Sequence, residues 1–82
     1  MNNQQSKPST PAQARTLAAI KRRLASIDHK MDKPEHTTWR EILENEGISQ
    51  DVTLFELTAA QADLLIKSGN EAISFVLKLY AT

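Results

Sequence analysis

Residues 17–31 read LAAIKRRLASIDHKM, and this stretch has the clearest apolar period in the chain. Its apolar side chains alternate in steps of three and four, which is the spacing of an a/d heptad seam over two repeats. They are Leu17, Ile20, Leu24, Ile27 and Met31. Alanine and arginine between them favour a helix, and neither glycine nor proline interrupts the run. The pattern predicts an amphipathic helix over residues 12–32 that ends before Pro34.

The opposite side of this helix is basic. With about 100° of rotation per residue, most of its positively charged side chains fall away from the apolar seam. Small alanine and serine side chains between them would let the helix approach a groove closely. The sequence therefore predicts a nucleic-acid-binding surface, made of Arg15, Lys21, Arg22, Arg23 and Lys30.

The net charge of zero hides a division between two parts of the chain. Residues 1–31 carry six basic residues and one acid, whereas residues 32–82 carry nine acids and four basic residues. Such asymmetry indicates that the basic part contacts something negative: nucleic acid, an acidic protein surface, or the acidic part of the same or a second copy. A pI near 6.7 argues against a dedicated DNA coat protein, since the acidic part would repel phosphates.

Two functions are compatible with these charges. The first is a small non-enzymatic regulatory protein that binds nucleic acid through the basic helix. The alternative is an adaptor or inhibitor that docks on a partner protein and does not bind nucleic acid.

Known DNA-binding motifs fit this sequence poorly. A helix-turn-helix with its turn at residues 68–70 would place an apolar helix in the groove, and a ribbon of residues 52–57 has no polar face to read bases.

Residues 37–82 predict a compact region of three short helices on which the basic helix packs. The first helix is expected over residues 39–46, the second over residues 58–67 and the third over residues 71–80. A break at residues 68–70 (Ser-Gly-Asn) separates the last two helices, because glycine disfavours a helix interior and asparagine caps a helix that follows.

Three capping boxes, each a threonine followed three residues later by glutamate or glutamine, indicate where helical turns begin. They are Thr38–Glu41, Thr53–Glu56 and Thr58–Gln61. The second lies within residues 48–57, which predict a loop or one helical turn, although the same residues could form a short strand. After Met1, residues 2–11 consist of Asn, Gln, Ser, Thr, one lysine and two prolines, which cannot bury apolar surface, so residues 1–11 predict a disordered tail.

These elements predict an all-α fold: a small helical domain of about four helices with a disordered N-terminal tail. A chain of 82 residues without cysteine has a thin core and no disulfides, so self-association is its expected support. The helix at residues 71–80 is apolar on most of its circumference, which predicts a homodimer interface. The expected interface residues are Ala72, Phe75 and Leu79. The expected core contains Leu17, Ile20, Leu24, Ile27, Trp39, Ile42, Leu43, Leu64, Leu65, Ile73, Val76, Leu77 and Tyr80.

Catalytic, metal and cofactor sites are not expected. His29, Asp32 and His36 lie close in sequence among other polar residues, but Pro34 interrupts the helical geometry between them. Two glycines cannot form a phosphate loop, and no serine or threonine lies in a nucleophile motif. No apolar run approaches the roughly 18 residues of a membrane helix, and residues 1–8 lack the apolar stretch of a secretory signal. We therefore expect a cytoplasmic protein without membrane contact.

Overall fold

The computed structural model describes residues 7–81 as an all-α arrangement, which confirms the predicted fold class. This part of the chain contains three α-helices and one 3-10 turn, and no strand. In chain order they are α1 (Pro11–Lys30), α2 (Thr37–Asn45), the 3-10 turn (Leu54–Glu56) and α3 (Ala59–Ala81). The count of α-helices is one lower than predicted, because a single helix replaces the last two.

The helix break predicted at residues 68–70 is wrong, since α3 continues through it. Gly69 is buried in the middle of α3, and a Cβ atom at this position would lie 2.5 Å from Ile20 Cγ2. Glycine in a helix interior costs roughly 0.5–1 kcal/mol relative to alanine. Here the missing side chain allows α1 to approach α3 closely, so Gly69 is a packing residue and does not end a helix.

Helices α1 and α3 start at the same end of the molecule and run in parallel. Near that end, Gln13 Nε2 donates to the Ala59 carbonyl oxygen at 3.2 Å and to Asp63 Oδ1 at 2.8 Å. Further along both helices, Ile20 lies against Gly69. The contacts thus advance together along the two helices, and α2 packs across both of them.

The core lies between the three helices and follows the apolar period of α1. Eight of the predicted core residues are buried: Leu17, Ile20, Leu24, Trp39, Ile42, Leu43, Leu65 and Ile73. Three more join them that were not predicted, namely Ile48, Leu57 and Ala62. The apolar seam of α1 therefore packs against α2 and α3 of its own chain, and a second copy is not needed to bury it.

Other predicted core residues lie at the surface. Leu64 is 48 % exposed, Leu77 54 % and Tyr80 66 %, while Ile27 and Val76 are half-buried. In one continuous helix, Ala62, Leu65, Gly69 and Ile73 set the buried face, and Leu64 falls outside it. No side chain among residues 74–80 is buried, so the last two turns of α3 extend past the core.

Residues 7–11 are ordered, in contrast to the tail predicted over residues 1–11, of which residues 1–6 lie outside the described part of the chain. The Ser9 amide donates to the Leu57 carbonyl oxygen at 2.9 Å, and the Ala59 amide donates to the Lys7 carbonyl oxygen at 2.8 Å. These hydrogen bonds join backbone groups, which every residue carries, so the pattern of apolar side chains could not predict them.

The ends of α1 differ slightly from the expected range of residues 12–32. Thr10 and Gln13 form a capping box: Thr10 Oγ1 accepts from the Gln13 amide at 3.1 Å, and Gln13 Oε1 accepts from the Thr10 amide at 2.8 Å. Pro11 follows in the first helical position, where its missing N–H costs nothing. The helix therefore begins one residue earlier than predicted and ends at Lys30.

Two of the predicted capping boxes mark real turns. The Thr53 amide donates to Glu56 Oε1 at 2.8 Å at the 3-10 turn. At the start of α3, the Thr58 amide donates to Gln61 Oε1 at 2.9 Å, and Thr58 Oγ1 accepts from the Gln61 amide at 3.1 Å. Residues 48–57, for which a loop or one helical turn was predicted, form a loop that contains the 3-10 turn and no strand.

Candidate nucleic-acid interface

Four of the five predicted cationic site residues lie together on the outer side of α1. They are Arg15, Arg22, Arg23 and Lys30, and we call them the basic face. All four side chains are exposed. Within residues 7–81, the contact of His36 Nε2 with Glu35 Oε1 (3.3 Å) is the sole one between a basic and an acidic side chain, so no carboxylate of this part lies within 4.0 Å of the basic face. Its charges are available to a ligand.

The basic face has two rows. Arg15 and Arg22 are seven residues apart, and so are Arg23 and Lys30. Seven residues advance about 10 Å along an α-helix and return to almost the same direction, so each pair points to one side. The small residues Ala19 and Ser26 lie between the rows by the same geometry. An anionic chain could contact both rows without meeting a bulky side chain.

Lys21 does not lie with the other four cations. Its Nζ atom lies 5.8 Å from the centre of the Trp39 ring, and the side chain is half-buried between α1 and α2. A cation over an indole ring contributes about 0.5–1 kcal/mol at an exposed site. The structure thus assigns Lys21 to the contact between two helices.

Asp28, the single acid of α1, points into the molecule. It is fully buried, and its carboxylate accepts two hydrogen bonds from Thr38, from Oγ1 at 2.6 Å and from the amide at 3.2 Å. The capping box predicted at Thr38 and Glu41 is therefore not formed, and α2 begins at Thr37. An acid from another helix caps α2, which also removes the one negative charge from the outer side of α1.

The acidic residues of α2 and the glutamate that follows it do not neutralise the basic face. Glu41, Glu44 and Glu46 are exposed, and none of them forms an ion pair with α1 in the described residues. Glu46 Oε1 instead accepts a hydrogen bond from Ser68 Oγ of α3 at 3.3 Å. The glutamates of this part of the chain therefore leave the basic face without ion pairs.

The predicted dimer residues lie on the last turns of α3. Phe75 is 64 % exposed, Leu79 is 56 % exposed and Ala72 is half-buried. Phe75 shares a shallow surface groove of about 390 Å³ with Glu71 and Lys78. The groove thus combines one aromatic ring with one charge of each sign.

Phe55 is the functional candidate that the sequence did not reveal. It lies in the 3-10 turn with 84 % of its surface exposed, the largest value among the bulky apolar side chains described. It lines a cleft of about 450 Å³ together with Arg15 of the basic face. The capping box at Thr53 was the available signal, since it fixes the turn that carries Phe55.

Residues 7–81 were also compared with the requirements of a metal site and of a membrane-spanning helix. No group of three or more His, Asp or Glu side chains in this range could hold a metal ion. None of the helices described is long and apolar enough to cross a membrane. Comparisons with protein families, curated proteins and solved structures find no match for this chain. Its function must therefore be inferred from its own residues.

Proposed function

We propose that this chain is a small, cytoplasmic, non-enzymatic regulatory protein that binds nucleic acid through the basic face of α1. The observation that supports this most is the state of the four cations, which are exposed and unpaired while Asp28 is turned inward. Four free cations on one side of a rigid helix fit a phosphate backbone.

The size of the surface limits the strength of binding. Four cations can neutralise up to about four phosphates, which gives a slope of about −3 to −4 in log K against log salt. The acidic residues elsewhere on the chain repel phosphates and orient the protein so that α1 meets the ligand. Binding of moderate strength, sensitive to salt and weakly dependent on base sequence, is expected.

A pair of double variants tests the proposal. Replacing Arg22 and Arg23 with alanine removes one cation from each row, and we expect weaker binding to a labelled 24-base-pair duplex at low salt. The matched control is the Arg40→Ala, Lys67→Ala double variant, which changes the net charge equally at exposed positions on α2 and α3. Equal losses in the two variants, or no binding by the wild type to either a duplex or a single strand at low salt, would overturn the proposal.

The alternative function is an adaptor or inhibitor that binds a partner protein. The exposed apolar side chains at the end of α3 favour it, because Phe75, Leu77 and Tyr80 are each more than half exposed. A pull-down with and without nuclease separates the two functions. A partner that survives nuclease treatment, and that is lost with Phe75→Ala but kept with Arg22→Ala, would support this alternative.

We also propose that the chain forms a homodimer through α3. Glu71 and Lys78 flank Phe75 on one side of the helix, seven residues apart. In an antiparallel pair with its two-fold axis near Phe75, each Glu71 meets Lys78 of the second copy, and the rings meet at the axis. This charge pattern is complementary to itself, which a two-fold interface requires.

A further inference from the structure

The cleft beside Phe55 is an apolar site with a cation at its edge. Its lining residues are Pro11, Ala14, Arg15, Ala18, Leu54 and Phe55. The volume of about 450 Å³ lies within the range of about 300–1,000 Å³ that is usual for sites that bind small molecules or single groups. Arg15 belongs both to this cleft and to the basic face, so the two surfaces are continuous.

The 3-10 turn that carries Phe55 contacts α1 and is hydrogen-bonded to Ser9, which lies just before that helix. Ser9 Oγ donates to the Leu54 carbonyl oxygen at 3.1 Å, and the Ser9 amide donates to the Leu57 carbonyl oxygen at 2.9 Å. The Thr53–Glu56 capping box closes the turn itself. An exposed ring on a fixed turn keeps its position when a ligand arrives, which lowers the entropic cost of binding.

The carboxylates near the cleft have partners of their own. Glu56 accepts a hydrogen bond from the Thr53 amide at 2.8 Å, and Asp63 accepts one from Gln13 Nε2 at 2.8 Å. Arg15 is not paired with either of them, since no ion pair involving Arg15 is formed in the described residues. The cleft therefore offers a flat apolar wall and an unpaired guanidinium group side by side.

We propose that this cleft binds an unstacked base of a single-stranded nucleic acid, which stacks on Phe55 while Arg15 binds the adjoining phosphate. This inference rests on the proposed function and adds to it a preference for single strands. Proteins that bind single strands combine a positively charged track with aromatic rings on which bases stack. In a duplex the faces of the bases are covered by their neighbours, so Phe55 has no surface to contact.

The experiment compares two ligands of equal charge. One is a fluorescein-labelled (dT)12, and the other is a 12-mer of abasic sites with the same number of phosphates. We expect the wild type to bind (dT)12 more tightly by about 5- to 150-fold, the range that stacking of one base supplies. Phe55→Ala should bind both ligands equally, at the affinity of the wild type for the abasic strand. Phe55→Tyr keeps a ring and should restore the preference for (dT)12.

The variants separate this inference from the proposed function. Replacing Arg22 and Arg23 with alanine should lower the affinity for both strands by the same factor, since it removes phosphate contacts alone. Equal affinity of the wild type for (dT)12 and the abasic strand would overturn the base-binding cleft but leave the basic face intact, and an apolar peptide would become the better occupant. Circular dichroism of Phe55→Ala excludes unfolding as the cause, and the 84 % exposure of Phe55 makes unfolding unexpected.

Discussion

Ile20 lies so close to Gly69 that a Cβ atom at position 69 would stand 2.5 Å from Ile20 Cγ2. Such a distance is shorter than any carbon–carbon van der Waals contact. The branch at Ile20 is attached directly to Cβ, so it cannot turn aside as the end of a long side chain could. This pair therefore fixes how closely α1 and α3 approach.

Gly69→Ala should destabilise the protein even though alanine is the better helix former. Overpacking of a core contact costs about 1–3 kcal/mol, while the gain in helix propensity is roughly 1 kcal/mol, so a net loss of up to about 2 kcal/mol in the free energy of unfolding is expected. Urea denaturation measures it. Ile20→Leu moves the branch away from the backbone, and adding it should recover part of the loss. A more stable Gly69→Ala variant would contradict this packing.

Asp28 and Thr38 link the end of α1 to the start of α2. Because Asp28 is fully buried, Asp28→Ala leaves two donors of Thr38 without an acceptor and should cost about 2–3 kcal/mol of unfolding free energy. Thr38→Ser keeps the hydroxyl and should cost less than about 1 kcal/mol. Thermal unfolding distinguishes the two. Similar small losses for both variants would show that the pair does not hold α2.

The sequence predicted what short-range patterns encode. The seam of α1 and the capping boxes at Thr53 and Thr58 depend on residues within one or two turns, and the structure has them. Gly69 was misread because its role depends on Ile20, forty-nine residues away in the chain. The same distance effect explains Asp28, whose partner Thr38 lies across a loop. Contacts between helices decided these two differences.

The part of the candidate site that lies on α1 could be predicted from the sequence, and the part that depends on other elements could not. Helical periodicity placed Arg15, Arg22, Arg23 and Lys30 away from the apolar seam, because the period depends on α1 alone. The same period places Lys21 beside the seam, four residues after Leu17 and three before Leu24, so spacing already separates it from the other cations. Its contact with Trp39 is a property of the tertiary structure. Phe55 required knowledge that the 3-10 turn is hydrogen-bonded to Ser9, just before α1. Neither relation leaves a trace in local spacing.

Glu56 should titrate at an unusually low pH. The Thr53 backbone amide, and next the Thr53 side chain, donate to its carboxylate and lower the pKa of Glu56 from the usual 4.5. A lowered pKa means that this interaction stabilises the fold above pH 4.5 and is lost as the pH falls through the lowered pKa. Carboxyl NMR titration measures the pKa. Thr53→Ala should raise it only in part, since the amide remains. A pKa of 4.5 or more in the wild type would contradict the capping box.

The proposed α3 dimer should depend on one of the two phenylalanines. Phe75→Glu places a charge at the proposed two-fold axis and should shift sedimentation from twice 9.2 kDa to the monomer mass. Phe55→Glu is the matched control, because Phe55 is also exposed but lies on the 3-10 turn. Glu71→Lys should weaken the dimer, and adding Lys78→Glu should restore it. A monomeric wild type would remove this interface from consideration.

Lys21 and Arg22 are neighbours in sequence but should respond differently in nucleic-acid binding. Lys21 lies over the Trp39 ring, whereas Arg22 belongs to the basic face. Removal of a phosphate contact lowers the slope of log K against log salt by about one, and removal of a cation without such a contact leaves the slope unchanged. Arg22→Ala should therefore flatten the slope, while Lys21→Ala should keep it and lower thermal stability instead.

Fluorescence anisotropy from 50 to 200 mM salt measures both slopes on the same labelled strand, and differential scanning calorimetry measures the stability. The reverse pattern, with Lys21→Ala flattening the slope and Arg22→Ala neutral, would show that the ligand approaches the seam between α1 and α2. It would then have to displace Lys21 from Trp39, and intrinsic tryptophan fluorescence would report that displacement. An unchanged tryptophan signal on binding, together with a slope that depends on Arg22, is the expected result.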